Sequence, residues 1–309
     1  MGMAAIRERL AAGKVVFLDG AVGTELQKRG APMDDDAWCA LATESHSDVL
    51  RRIHEDYIGA GADIITANTF SSSRTLLGLS GRADRAAPLS RRAVEIAIEA
   101  RDRAARGRPV AIAGSISHMV PMAHGDAVGD PSRVPSEAAL RESFRELAGV
   151  LAEAGCDLIL MEMMSHPLRA RLAIEAAKAT GLPVWVGLSA RSEAGRVVSY
   201  VRESMPFGEV VPQILANGGE VAGLMHTNVP VIGPALDILR GHWSGPLMAY
   251  PDSGHFRMPD WQFEGIIAPA DFAAACVQWV DAGVRIVGGC CGLSVEHIAA
   301  MTTALRDRA

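Results

Sequence analysis

The segment Arg285-Ile-Val-Gly-Gly-Cys-Cys-Gly-Leu-Ser-Val-Glu-His-Ile sets two adjacent thiols, Cys290 and Cys291, in a glycine frame. They follow an apolar run directly and precede a helical pattern that begins near Ser294. Flanking glycines permit unusual φ/ψ and the close approach of a ligand. Thiols near a helix N-terminus have lowered pKa values, which favours the thiolate as nucleophile or metal ligand. The plainer readings are two inert buried thiols or a strained disulfide between neighbours. A frame of glycines is costly for a mere packing site, which weighs toward chemistry. A third donor stands at the end of another run, where Val221-Ala-Gly-Leu-Met-His-Thr-Asn places His226 just before a polar turn. His226, Cys290 and Cys291 would supply three protein ligands and one open position, as catalytic Zn2+ requires. A lone histidine is more often structural, so His226 by itself is a weak pointer.

Two carboxylates occupy similar places. Val15-Val-Phe-Leu-Asp-Gly-Ala-Val-Gly-Thr puts Asp19 at a run's end, with Gly20 and Gly23 leaving backbone N–H groups to face a small anion at the following helix start. Asp-Gly after a strand is also a common turn. Asp157-Leu-Ile-Leu-Met-Glu-Met-Met puts Glu162 in an apolar stretch, where an unpaired carboxylate is expensive. Two acids and backbone donors in one cleft would suit an α-amino acid, its amine on the acids and its carboxylate on the amides.

All of these residues need strand ends to hold them. Eight short runs rich in Val, Ile and Leu recur at 15–18, 63–66, 110–113, 158–161, 184–188, 221–225, 247–250 and 285–287. Runs apolar on both faces suit buried parallel strands. Helical patterns at 47–60, 82–106, 136–154, 167–180, 207–216, 234–240, 269–281 and 294–305 alternate with them. Eight alternations predict an α/β fold, a (β/α)8 TIM barrel. No linker or charge run divides the chain, so residues 1–309 read as one domain. Two long gaps follow strand ends, where barrels place their chemistry. Gly114–Pro135 carries His118, Met122 and His124, and Asp252–Ala268 is rich in Gly, Pro and aromatics.

Composition narrows the partners. Thirty Lys and Arg against thirty-six Asp and Glu give a net charge of −6, which argues against a nucleic-acid or anionic-membrane surface. No run is long enough for a transmembrane helix and no secretory signal is visible. Five cysteines are too few and too odd for a disulfide framework. The expectation is a reduced, soluble, cytoplasmic protein acting on small molecules. Nothing in the sequence sets its oligomeric state.

Several of these segments together resemble the homocysteine S-methyltransferase family of zinc-thiolate enzymes. The matching pieces are Leu18-Asp-Gly-Ala-Val-Gly-Thr-Glu-Leu, His54-Glu-Asp-Tyr-Ile-Gly-Ala-Gly-Ala-Asp-Ile-Ile-Thr-Ala-Asn-Thr-Phe, Gly114-Ser-Ile, Glu162, Tyr250-Pro-Asp-Ser-Gly and Gly288-Gly-Cys-Cys-Gly, in the expected order over nearly the whole chain. The resemblance implies a (β/α)8 barrel, a Zn2+ held by three cysteines, and homocysteine bound as a thiolate in the fourth position, in methionine biosynthesis. Cys290 and Cys291 match the last two ligands. At the first, Gly223-Leu-Met-His stands where the family has Gly-x-Asn-Cys, so His226 replaces the cysteine. Asp19 and Glu162 fall on positions that help hold the homocysteine amine, with amides around Gly20 and Ala21 near its carboxylate. Asn68, at the second strand's end, supports either the substrate or its loop.

A His/Cys/Cys zinc site is formally neutral, where three thiolates make it −1. The leading expectation is a zinc-dependent S-methyltransferase, with His226, Cys290 and Cys291 as catalytic metal ligands. No Gly-x-Gly-x-x-Gly loop follows a strand, and the length leaves no room for folate or cobalamin domains. A sulfonium or ammonium methyl donor fits better. The alternatives are a zinc-dependent hydrolase or demethylase using metal-bound water, with His118 or Glu162 as proton carriers, and a non-catalytic amino-acid or thiol-binding barrel.

Overall fold

The structure, a computed structural model, describes residues 2–34, 37–120, 131–200, 204–257 and 262–309. In chain order the strands are β1 (Val16–Phe17), β2 (Ile64–Thr66), β3 (Ala111–Ser117), β4 (Leu158–Met164), β5 (Val184–Leu188), β6 (Ala190–Glu193), β7 (Arg196–Ser199), β8 (Val221–Asn228), β9 (Leu247–Asp252), β10 (His255–Arg257), β11 (Gln262–Glu264) and β12 (Ile286–Val287). Eight of them form one parallel sheet in the order β1-β12-β9-β8-β5-β4-β3-β2. A parallel bridge between Leu18 and Ile64 joins its two ends, closing the (β/α)8 barrel.

Side-chain alternation explains why the runs are apolar throughout. Val16, Leu18, Ile64, Leu158, Leu160, Trp185, Val221, Met248 and Ile286 fill the barrel interior. Their neighbours Phe17, Ile65, Ile159, Val184, Val186, Ala222 and Val287 pack outward against the helices. Each fully buried side chain of this size contributes about 1.5–3 kcal/mol, so both faces of every strand stabilise the fold. The N-terminal helix Gly2–Ala11, absent from the sequence reading, adds Met3 and Ile6 to the interior group.

Seven of the eight expected helices lie close to their bounds, among them Ser47–Gly59, Glu137–Ala154, Pro167–Lys178, Pro269–Asp281 and Val295–Ala304. The helix expected from Pro234 begins earlier, at Val229, because Pro230 suits a first turn. β3 runs on to Ser117, so the expected loop begins later than Gly114. Its residues 121–130, Met122 and His124 included, lie outside the described residues. β6–β7 and β10–β11 are antiparallel hairpins. The second of these stands within the stretch 252–268 expected to be a loop.

Candidate metal centre and substrate cleft

The Cys290-Cys291 backbone is clamped between two strand ends. Gly288 N–H donates to Ala249 O (3.1 Å), Gly289 N–H to Asp19 O (3.1 Å) and Cys290 N–H to Pro251 O (2.6 Å), while Ser253 N–H donates to Cys291 O (2.9 Å). Gly288 is required by close approach: a Cβ there would sit 2.6 Å from Leu18 Cβ and 2.7 Å from the Tyr250 ring.

His226 reaches the pair by a backbone irregularity. Met225 lies inside the barrel, so strict alternation would send residue 226 outward. The β8–β9 register shifts between Met225 and Asn228, and His226 takes φ 44°, a left-handed conformation costing on the order of 1–2 kcal/mol. Ser189 and Thr227 hydroxyls both donate to Met225 O (2.7 and 2.9 Å), and Ala190 N–H donates to Thr227 Oγ1 (2.9 Å), bracing the bulge. The ring is thereby turned into the barrel mouth and lies tilted on Phe70, centroids 5.0 Å apart.

The spacing fits a tetrahedral ion. Bonds of about 2.3 Å to sulfur and about 2.05 Å to nitrogen place two sulfurs about 3.8 Å apart, and a sulfur and a nitrogen about 3.6 Å apart. Cys290 Sγ lies 3.8 Å from Cys291 Sγ and 3.6 Å from each of the two ring nitrogens of His226, Nδ1 and Nε2. One donor atom from each residue falls within 4.8 Å of the others, the single such group of three among the described residues. The Cys291 thiol is drawn down to about 6, by the Cys290 hydrogen bond first and, against burial, by His226. Burial and the Cys291 neighbour push Cys290 well up. For His226 burial opposes the charge, but Cys291 and Glu162 outweigh it and raise the imidazole to about 10. A metal ion here competes with protons for its ligands.

The triad faces an open cleft at the barrel mouth. Of the residues expected to bind substrate, Gly20, Ala21, Asn68 and Glu162 line it. Glu162 follows Leu158 and Leu160 on the inward face of β4, and its Oε2 accepts from His226 Nε2 at 3.0 Å. Asp19 is fully buried behind the wall. Its carboxyl accepts from Thr66 N–H (2.6 Å), Thr66 Oγ1 (2.9 Å) and the Tyr250 hydroxyl (3.1 Å). Burial raises it to about 7 despite those donors. The Ala21 N–H donates to Leu293 O (3.0 Å), and Val22 and Gly23 of the following helix also line the cleft. Asn68 ties its side chain to the preceding loop, donating to Cys39 O (3.0 Å) and Thr43 Oγ1 (3.1 Å).

Cleft residues to which the sequence reading gave no role are Trp38 and Cys39, with Thr66, Phe70 and Tyr250 noted only within motifs. Thr66 and Tyr250 were within reach, since Ile64 and Met248 two residues earlier face inward. Trp38, Cys39 and Phe70 carry no periodic signal. Asp252, at the end of β9, was quoted only within the Tyr250-Pro-Asp-Ser-Gly motif. Its Oδ1 is buried with no hydrogen-bond partner among the described residues, and burial and the Cys291 charge raise its carboxyl to about 7. His118, considered as a proton carrier, does not line the cleft. Its Nε2 accepts from Ser165 N–H (2.7 Å) and His166 N–H (3.1 Å), and burial holds it neutral.

The chain is similar to known proteins over nearly its whole length. The chain is 29% identical to homocysteine S-methyltransferase 4 of Zea mays, over 96% of this chain and 91% of that protein. It is 28% identical to selenocysteine methyltransferase of Astragalus bisulcatus, over 93% and 91%. The metallated form of the homocysteine methyltransferase MmuM from Escherichia coli shares the fold with a TM-score of 0.76 at 23% identity, covering 96% of this chain and 99% of that one. The family model described as homocysteine S-methyltransferase matches residues 16–305, and the chain belongs to that family.

Proposed function

We propose that this protein is a zinc-dependent methyltransferase that moves a methyl group from a sulfonium or ammonium donor to a homocysteine-like thiol. The observation that carries the reading is the His226/Cys290/Cys291 triad, spaced as the edges of a tetrahedral N/S site and opening on a cleft. The names of the relatives, which act on homocysteine or selenocysteine, support the same substrate class. Zinc, when bound, would hold the substrate thiol deprotonated at neutral pH.

The chain's own residues do the rest. His226, Cys290 and Cys291 are the metal ligands and the catalytic set. The Gly20-Ala21 turn receives the amino-acid end of the thiol, with Glu162 opposite as a carboxylate for its amine. Asp19 acts from behind by fixing Thr66 and Tyr250 in the wall, and Asn68 by fixing the Cys39 loop. Trp38 and Phe70, ring centroids 5.8 Å apart, offer aromatic faces to a cationic methyl donor. The barrel mouth orients the reactants and excludes water. Thiol ligands require a reducing compartment, so we place the reaction in the cytoplasm. No helix among the described residues is long and apolar enough to cross a membrane.

The test is metal analysis of the native protein, followed by methyl transfer to homocysteine from S-methylmethionine or betaine. About one zinc per chain, lost in Cys290→Ala together with activity, is expected. Retained activity in a zinc-free protein would overturn the reading. If His226→Cys methylates homocysteine faster than the native protein, the acceptor is a different thiol.

A further inference from the structure

Resting on the zinc reading, we propose that Glu162 is a positioning residue for the metal: both ring nitrogens of His226 lie 3.6 Å from Cys290 Sγ, and the hydrogen bond of Glu162 to Nε2 occupies that one and reserves Nδ1 for the ion, a task that arises only because residue 226 is a histidine.

A cysteine offers a metal one sulfur, whereas an imidazole offers two nitrogens, and the one that binds is decided by what holds the other. An ionised carboxylate only accepts, so Glu162 Oε2 at 3.0 Å from Nε2 fixes the proton there and leaves the Nδ1 lone pair for the ion. Both partners are buried, His226 at 9% and Glu162 at 5% exposure, so water does not readily substitute for either. Glu162 sits on β4 directly before Met163, whose left-handed φ of 61° marks an irregularity in the β4–β5 register. Two bulges on two strands, at Met163 and His226, thus bring this pair together at one depth in the barrel mouth. Carboxylate–histidine–metal chains of this kind hold ring orientation and raise ligand basicity. They also consume one carboxylate oxygen, so Glu162 meets a substrate amine with Oε1 alone.

The experiment is zinc affinity of this chain, by competition with a chromophoric chelator, in five proteins: native, Glu162→Gln, Glu162→Ala, His226→Cys and the Glu162→Gln/His226→Cys double variant. Glu162→Gln is close to isosteric and keeps a neutral acceptor, so it weakens zinc about 10- to 100-fold while Glu162→Ala weakens it further. In the His226→Cys background the same Glu162→Gln change moves affinity less than about threefold, since no ring remains to orient. Nitrogen NMR of the zinc-loaded native protein shows His226 carrying its proton on Nε2. Equal affinity of the native protein and Glu162→Gln, an equal loss in both backgrounds, or a proton on Nδ1 overturns the proposal. A native protein that binds no zinc at all overturns the zinc reading instead.

Discussion

His54 gives a stability prediction with a worked magnitude. It lies in the helix Ser47–Gly59, fully buried, and neither ring nitrogen has a hydrogen-bond partner among the described residues. Burial alone lowers its pKa from the ordinary 6.5 to about 4. A folded-state value below the unfolded one means that the unfolded chain binds the proton first. The stability is therefore whole above pH 6.5, falls as pH drops toward 4, and is fully lost below 4. A gap of roughly 2.5 units corresponds to about 3 kcal/mol in full, and to about 2 kcal/mol between pH 7.5 and 5.0. Replacing His54 with Leu removes the group that titrates. Urea unfolding of both proteins at the two pH values, with chelator present throughout, isolates the effect because every other group titrates alike in each. The native protein is expected to lose about 2 kcal/mol more than His54→Leu on going to pH 5.0. Equal losses would refute the reasoning. Tyr57, one turn along the same helix, donates its hydroxyl to Ala21 O (3.2 Å) and packs beside Gly20.

Cys39 lines the cleft but stands outside the ligand triad, so Cys39→Ser should keep one zinc per chain by metal analysis while Cys290→Ser loses it. Gly288→Ala sets a Cβ against Leu18 and the Tyr250 ring, and overpacking of this kind costs about 1–3 kcal/mol, read in urea midpoints. Because Tyr250 also bonds Asp19, the same variant should raise KM for the thiol more than it lowers kcat.

The barrel was legible because eight parallel strands buried on both faces leave runs such as Val184–Leu188 that no half-exposed strand would show. The hairpins were not legible. Arg191 and Glu193 in β6 and Arg196 in β7 make those strands polar, and they pair with each other outside the barrel sheet. Among site residues, Cys290 and Cys291 stood out through their glycine frame. The placing of His226 in the mouth did not follow from period, since inward Met225 precedes it and only the left-handed turn at φ 44° brings the ring around. Resemblance to a family with a ligand at that position supplied what periodicity could not. Asp19 was found as a conspicuous acid at a strand end, but its engagement with Thr66 and Tyr250 depends on contacts between distant segments. Trp38 and Phe70 likewise meet only through the path of the loop before Cys39.

X-ray absorption at the zinc edge of the native protein, before and after addition of homocysteine, is the most direct test of the metal centre. The expected result is one zinc with two sulfurs at about 2.3 Å and a nitrogen at about 2.05 Å, joined by a third sulfur when the thiol is added. A shell lacking the sulfur pair, or one that does not change with the thiol, would contradict it.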